Sequence, residues 1–210
     1  MTAKAPTGGR RPFRMVAGIS KLSDLADGNA ALGSMMAAGG KWYFCDPTHG
    51  VSGGDGSSPE NATNSLQAAH DFCRSGYNDG VLFIGGATAY NPAAAVTWSN
   101  DYCHLIGLSA DLPGNGQRCR VVALAATALD QVITFSGDGC YVSNMQFNNA
   151  RASGACGEAI VSGDRNLFVN CFFMNPTSVT AAGYALKITG DENNFVRCSI
   201  GQTQSNVRTL

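Results

Sequence analysis

Charge is scarce in this chain. Only 14% of its 210 residues are Asp, Glu, Lys or Arg, and the formal net charge is −1. A chain this sparsely charged, with its signs nearly balanced in number, makes no broad case for a nucleic-acid or membrane-surface protein. No run of about 20 apolar residues occurs, so no membrane-spanning helix is expected. No apolar run follows the basic start, so the pattern of a secretory signal peptide is missing. Proline is thin as well, with 7 residues, and the 26 glycines show no period of three, which excludes a collagen-like chain. The eight cysteines form no C-x-x-C pair, and His49, His70 and His104 are scattered. Metal-ligand spacing is therefore absent, and neither a metal nor another cofactor is expected. A chain of this size does not need a disulfide framework to compensate for a small core, so buried thiols are expected.

What charge there is lies unevenly. Residues 1–20 hold Lys4, Arg10, Arg11 and Arg14 and no acid, among Pro6, Gly8, Gly9 and Pro12. This reads as a flexible basic arm, either solvated or docked on an acidic partner surface. Residues 21–38 are rich in Ala and Met and suit one or two short helices, stopped by Gly39-Gly40. The division expected is an arm with short helices over 1–40 and a single β domain over 41–210. That domain starts with a strand at 41–45 and a Gly-, Ser-, Asp- and Pro-rich loop at 46–61. A helix capped by Thr63 or Asn64 follows, running to about Ser75 with Leu66, Ala69, Phe72 and Cys73 as its apolar stripe, and then a buried strand within 80–86.

From there the chain repeats itself. "GDGCYVSNMQF", "GDRNLFVNCFF" and "GDENNFVRCSI" place Asp138, Asp164 and Asp191 at one position, 26 and 27 residues apart. Val142, Phe168 and Phe195 share the position four later. Met145, Cys171 and Cys198 share the position seven later, and Phe147, Phe173 and Ile200 the position nine later. An earlier copy starts at Asp101, with Leu105 and Leu108 in the corresponding places, and the loop 110–120 takes up its longer gap. Short β-rich repeats of this length cannot bury an apolar face alone, so they are expected to stack as coils of a solenoid about 4.8 Å apart. The predicted fold class is all-β.

The repeat also nominates chemistry. Stacked Asp138, Asp164 and Asp191, with Asp101 before them, could hold Ca²⁺ or share a raised acidity for catalysis. They equally suit coil corners, where the carboxylate accepts turn N–H bonds. The second is the reading preferred here, so no catalytic residue is assigned and the three aspartates stand as the alternative. Asn166 with Asn193, Cys103 with Cys140, and Asn144 with Asn170 read as ladder positions, the last interrupted by Arg197. His49 in "DPTHG", His104 beside Cys103, and "GGDG" at 53–56 read as local scaffolding rather than as a base, a nucleophile pair or a calcium loop. Trp98, Tyr102, Tyr141 and Tyr184 are aromatic positions near coil faces, available for sugar stacking, core filling or subunit contact.

The repeats, with the segment "YFCDPTHGVSGGDGSSPENATNSLQAAHDFC", resemble the right-handed parallel β-helix of the pectate-lyase-like superfamily over roughly residues 41–200. The resemblance implies a helix covering the first coil. It also implies one of several trades, since that leading segment is shared by polysaccharide-active enzymes, adhesins and phage tail or particle proteins. Lyase chemistry of that superfamily would require acidic Ca²⁺ ligands and a basic residue. Arg165, Lys187 and Arg197 lie in the coils but match no such pattern.

The chain stops at Leu210 with no capping helix in view. The leading expectation is thus a structural component of a virion or other large particle. It would be homo-oligomeric, as a trimer packed on solenoid flanks, and tied to other assembly proteins through residues 1–20. The alternatives are a polysaccharide-degrading hydrolase or lyase and a glycan-binding module. The binding module would show exposed aromatics on one face.

Overall fold

The computed structural model describes residues 39–109, 119–151, 154, 156–174 and 183–202. The arm and short helices expected over 1–40 lie outside these residues apart from the turn at Gly39-Gly40. So does nearly all of the loop 110–120.

The chain enters through β1 (Trp42–Cys45), a 3-10 turn (Pro59–Asn61) and the helix α1 (Leu66–Asp71). Short strands follow: β2 (Gly80–Ile84), β3 (Val96–Trp98), β4 (His104–Leu108), β5 (Arg120–Ala123), β6 (Gln131–Phe135), β7 (Tyr141–Ser143) and β8 (Gln146–Asn149). The last six are β9 (Gly157–Val161), β10 (Leu167–Val169), β11 (Phe172–Met174), β12 (Tyr184–Ile188), β13 (Asn194–Val196) and β14 (Ser199–Gln202). They pair only in parallel, in three sheets ordered β1-β2-β4-β7-β10-β13, β5-β8-β11-β14 and β3-β6-β9-β12. From β4 onward each circuit visits the three sheets in turn, which is the path of a parallel β-helix. The right-handed solenoid expected from the repeats is the fold found. No described helix is long and apolar enough to cross a membrane.

Register puts like on like. Leu105 pairs with Val142, Val142 with Phe168 and Phe168 with Phe195. The rings of Phe168 and Phe195 stack at 4.8 Å with 5° between their planes. Phe147 stacks on Phe173 at 5.5 Å, and Phe135 meets Phe147 and Phe168 edge-on. Each buried ring contributes roughly 1.5–3 kcal/mol, and each well-placed ring pair about 0.5–1.5 kcal/mol more. The outer side of the six-stranded sheet is apolar in part. Phe44, Leu82, Ile106 and Val169 alternate with the inward residues and are buried too.

The repeated "SGD" and "TGD" have a steric cause. Gly137, Gly163 and Gly190 occupy one corner column. A Cβ on Gly163 would lie 2.2 Å from the Gly137 carbonyl oxygen, and one on Gly190 2.2 Å from that of Gly163. Coils can approach to strand spacing at this corner only without a side chain. The turn into the second sheet needs a different device. Asn144, Asn170 and Arg197 take positive φ of 55°, 53° and 52°, a conformation that Asn adopts more readily than most residues. Asn170 Nδ2 donates to Asn144 Oδ1 at 2.8 Å.

Three local expectations are corrected. The helix begins later and ends earlier than 63–75, because Ser65 supplies the cap, its Oγ accepting from the Ala68 N–H at 3.3 Å. Thr63 is drawn instead into bridges with Cys45 and Val51. Phe72 leaves the apolar stripe and is exposed. Leu108 does not occupy the column of Met145. The Cys119 carbonyl accepts from Gln146 N just as the Met145 carbonyl accepts from Phe172 N, so Cys119 holds that place after the long loop. The eight cysteines are thiols, seven of them buried, with no disulfide.

Gly163→Ala is expected to lower stability by roughly 1–3 kcal/mol or more, because its new methyl meets backbone that cannot rotate away. The neighbouring exposed Ser162→Ala should cost about 0.5 kcal/mol or less. Denaturant titrations of both variants check this; equal midpoints would contradict the steric account.

Candidate functional site

The corner between the β3-β6-β9-β12 sheet and the six-stranded sheet gathers the aspartates nominated by the sequence. Asp101 Oδ1 accepts from Asp138 N at 3.0 Å, Asp138 Oδ1 from Asp164 N at 2.8 Å, and Asp164 Oδ1 from Asp191 N at 2.8 Å. The column exists, and each of these bonds joins a carboxylate to the backbone of the next coil. The following residues, Tyr102, Gly139, Arg165 and Glu192, all take positive φ and continue the ladder. Tyr102 N donates to Asp138 O, Gly139 N to Asp164 O, and Arg165 N to Asp191 O. One position further on, Cys140 N donates to Asn166 Oδ1 at 2.7 Å and Asn166 N to Asn193 Oδ1 at 2.9 Å. The aspartates and asparagines thus satisfy turn N–H groups that no strand reaches.

The histidines are scaffolding of different kinds. Asp46 Oδ1 accepts from Thr48 N and His49 N, closing the turn on which the exposed His49 ring sits. His104 is buried. Its Nδ1 accepts from Tyr141 N at 3.1 Å, which leaves the proton on Nε2, facing Asn78 Oδ1 at 3.3 Å. Burial pushes its pKa down to about 4. His70 Nε2 accepts from Ser99 N and Asn100 N, and burial lowers its pKa as well. In "GGDG", Asp55 accepts from the N–H and hydroxyl of Ser57. Among the described residues no three His, Cys, Asp or Glu side chains converge as a metal set.

An aromatic patch surrounds Arg74. Asp79 is fully buried and takes Arg74 Nε and Nη2 at 2.8 Å each, the Arg74 N–H at 2.9 Å and the Lys41 N–H at 2.6 Å. Burial alone would raise its pKa, but these donors outweigh it and the pKa falls. Thus clamped, the guanidinium lies 4.2 Å over the Tyr77 ring, within cation–π range. Tyr43 packs its ring 5.6 Å from Phe72. Gly76 N donates to Asp101 O and Asp101 N to Ser75 Oγ, which joins this segment to the turn bearing Tyr102. The Tyr102 ring lies over Gly139, where a Cβ would come within 2.7 Å of it. Of the four aromatic positions nominated by the sequence, Tyr102 alone is exposed. Trp98 is buried and donates its indole N–H to Cys103 O, Tyr141 is buried, and Tyr184 is half-buried. Phe72 and Tyr77 had no repeat partner to mark them.

Glu158 also escaped notice. It lies in β9 level with Val132 and Ala185, between the pairs of Gly157 and Ala159. A carboxyl in an otherwise apolar column was the signal available. Its side chain is fully buried, neither oxygen has a hydrogen-bond partner of good geometry, and burial pushes its pKa up to about 9, offset only in part by nearby backbone N–H groups. Beside it, the Tyr184 ring occupies the space over Gly157. The Tyr184 hydroxyl is itself pushed up, by burial first and then by Asp130, Cys156 and Glu158. Arg151 pairs with Asp130 at the strand end. Of the coil's basic residues, Arg165 faces Glu192 at 3.9 Å, and Lys187 and Arg197 are exposed.

No protein-family model and no curated protein matches the chain. Two solved structures are similar to it. One is a pectin methylesterase in complex with a hexasaccharide, at 17% identity and TM-score 0.49 over 72% of this chain and 48% of that one. The other is a pectate lyase, at 17% identity and TM-score 0.43 over 77% of this chain and 48% of that one. The chain spans about half the length of each.

Two buried groups set opposite pH limits. Glu158 keeps its proton in the fold up to about 9, against an ordinary 4.5. Its share of stability is complete below 4.5 and drains as pH rises toward 9. His104 stays neutral down to about 4, against an ordinary 6.5, so stability drains as pH falls between those values. Glu158→Gln should therefore melt higher than the parent chain on the alkaline side, by on the order of a few kcal/mol at the top of that window, and differ little at the acid end. Thermal melts across pH check this, and parallel curves would refute the assignment.

Proposed function

We propose that this chain acts on polysaccharide and holds the glycan against the aromatic corner around Arg74. One observation carries the reading. Every exposed large aromatic among the described residues, Phe72 at 42%, Tyr77 at 57% and Tyr102 at 50%, belongs to this segment or to the turn hydrogen-bonded to it. Aromatic faces stack on the apolar faces of sugar rings, and rigid rings lose little entropy in doing so. The Arg74–Asp79 clamp and the Gly139 seat supply that rigidity. A role as a particle component, the leading expectation from sequence, is carried by none of these observations, and the glycan reading takes its place.

Tyr77→Ala and Tyr102→Ala should each weaken oligosaccharide binding by roughly 0.5–1.5 kcal/mol, several-fold in Kd, with melting midpoints held. Calorimetric titration over a glycan panel tests it; unaltered affinity in both variants would sink the corner as the site. Release of reducing or unsaturated ends by the parent chain shows cleavage in addition to binding. A parent chain that binds but releases neither leaves binding as the activity.

A further inference from the structure

We infer that the glycan held at this corner is an amino-sugar polymer and that polyuronates are rejected; this rests on the polysaccharide reading above. Two independent features meet there. The exposed rings supply stacking, which every pyranose offers. The corner they stand on continues coil by coil as Asp101, Asp138, Asp164 and Asp191. One coil earlier Ser75 takes the aspartate's place, its Oγ accepting from Asp101 N, and Gly76 takes that of Tyr102, donating to Asp101 O, with Tyr77 next in the chain. A chain stacked on Tyr77 and Tyr102 and running along the solenoid axis therefore passes over the carboxylate column.

Carboxylates outnumber cations on this path. None of the four aspartates has an ion-pair partner among the described residues. Of the cations nearest the corner, Arg74 is clamped to the buried Asp79 and Arg165 faces Glu192 at 3.9 Å. A polymer bearing carboxylates meets like charge at each coil, only partly offset by Arg165. One bearing ammonium groups meets opposite charge at a spacing of about 4.8 Å. An uncharged polymer gains the stacking alone. Like-charge juxtaposition is an effective means of rejecting a wrong ligand.

The test titrates the full chain with three oligomers of equal length: a fully deacetylated chitin fragment, a cello-oligosaccharide and an oligogalacturonate. The amino-sugar oligomer is expected to bind about tenfold or more tighter than the uronate at low salt, with the gap closing as salt screens it. Tyr77→Ala should weaken the amino-sugar oligomer too, which ties the binding to this corner. Asp138→Asn with Asp164→Asn keeps the Oδ1 acceptors of the ladder and removes two charges, so it should shrink the gap. A uronate that binds as tightly as the amino sugar overturns the inference and leaves the polysaccharide reading standing. So does a gap that survives both salt and the Asp→Asn changes. Should that double variant not fold, the salt dependence decides. If none of the three oligomers binds, the inference and the reading beneath it fall together.

Discussion

The structure depends on coils approaching one another to strand spacing at the corner before the six-stranded sheet. Two things make this possible. The glycines at 137, 163 and 190 remove side chains that would strike the carbonyls of the coil below. The aspartates that follow them place a carboxylate oxygen under the N–H of the next coil's aspartate. An orphaned N–H at each such turn would cost about 1–3 kcal/mol, repeated at each coil. With the corner closed, the strands on either side fall into register, and the phenylalanines inside are forced face to face.

The functional surface arises where this regularity lapses. In the first coils the corner carries Tyr77, just past Gly76, and Tyr102, in whose column later coils carry glycine, arginine and glutamate. Tyr102 still takes the left-handed conformation of its column, a strained one for a bulky residue. The ladder bond from Tyr102 N to Asp138 O holds it there, and Gly139 leaves space for the ring. Arg74 is fixed by three hydrogen bonds to one buried carboxylate, two from its guanidinium and one from its own backbone, and its stacking on Tyr77 follows from that anchorage. The solenoid thus serves as a stiff support, and variation within a column becomes surface chemistry.

The same stiffness lets the core tolerate ionisable groups in their neutral forms. His104 is held as one tautomer by the Tyr141 N–H and faces Asn78. Glu158 keeps its proton because ionising it would strand a charge among Val132, Ala185 and the Tyr184 ring. Burial likewise pushes the thiols of Cys45 and Cys140 up to about 12, so they behave as small apolar side chains.

By itself the sequence determined the parallel β-helix, the stacking of Val142, Phe168 and Phe195, and the alignment of Asp138, Asp164 and Asp191. A repeat with matched apolar positions can bury its face only by lying on its own copy. It did not determine that Cys119 rather than Leu108 continues the Met145 column, since a long loop breaks the count there. Nor did it mark Phe72, Tyr77 and Tyr102 as one patch, because they come from a helix end, a turn and a later coil that only the backbone ladder at Gly76 and Asp101 brings together. Whether a ring is core or surface rests on which way its turn faces. That is a property of the wound chain, which left Trp98 and Tyr141 inside and Tyr102 in solvent.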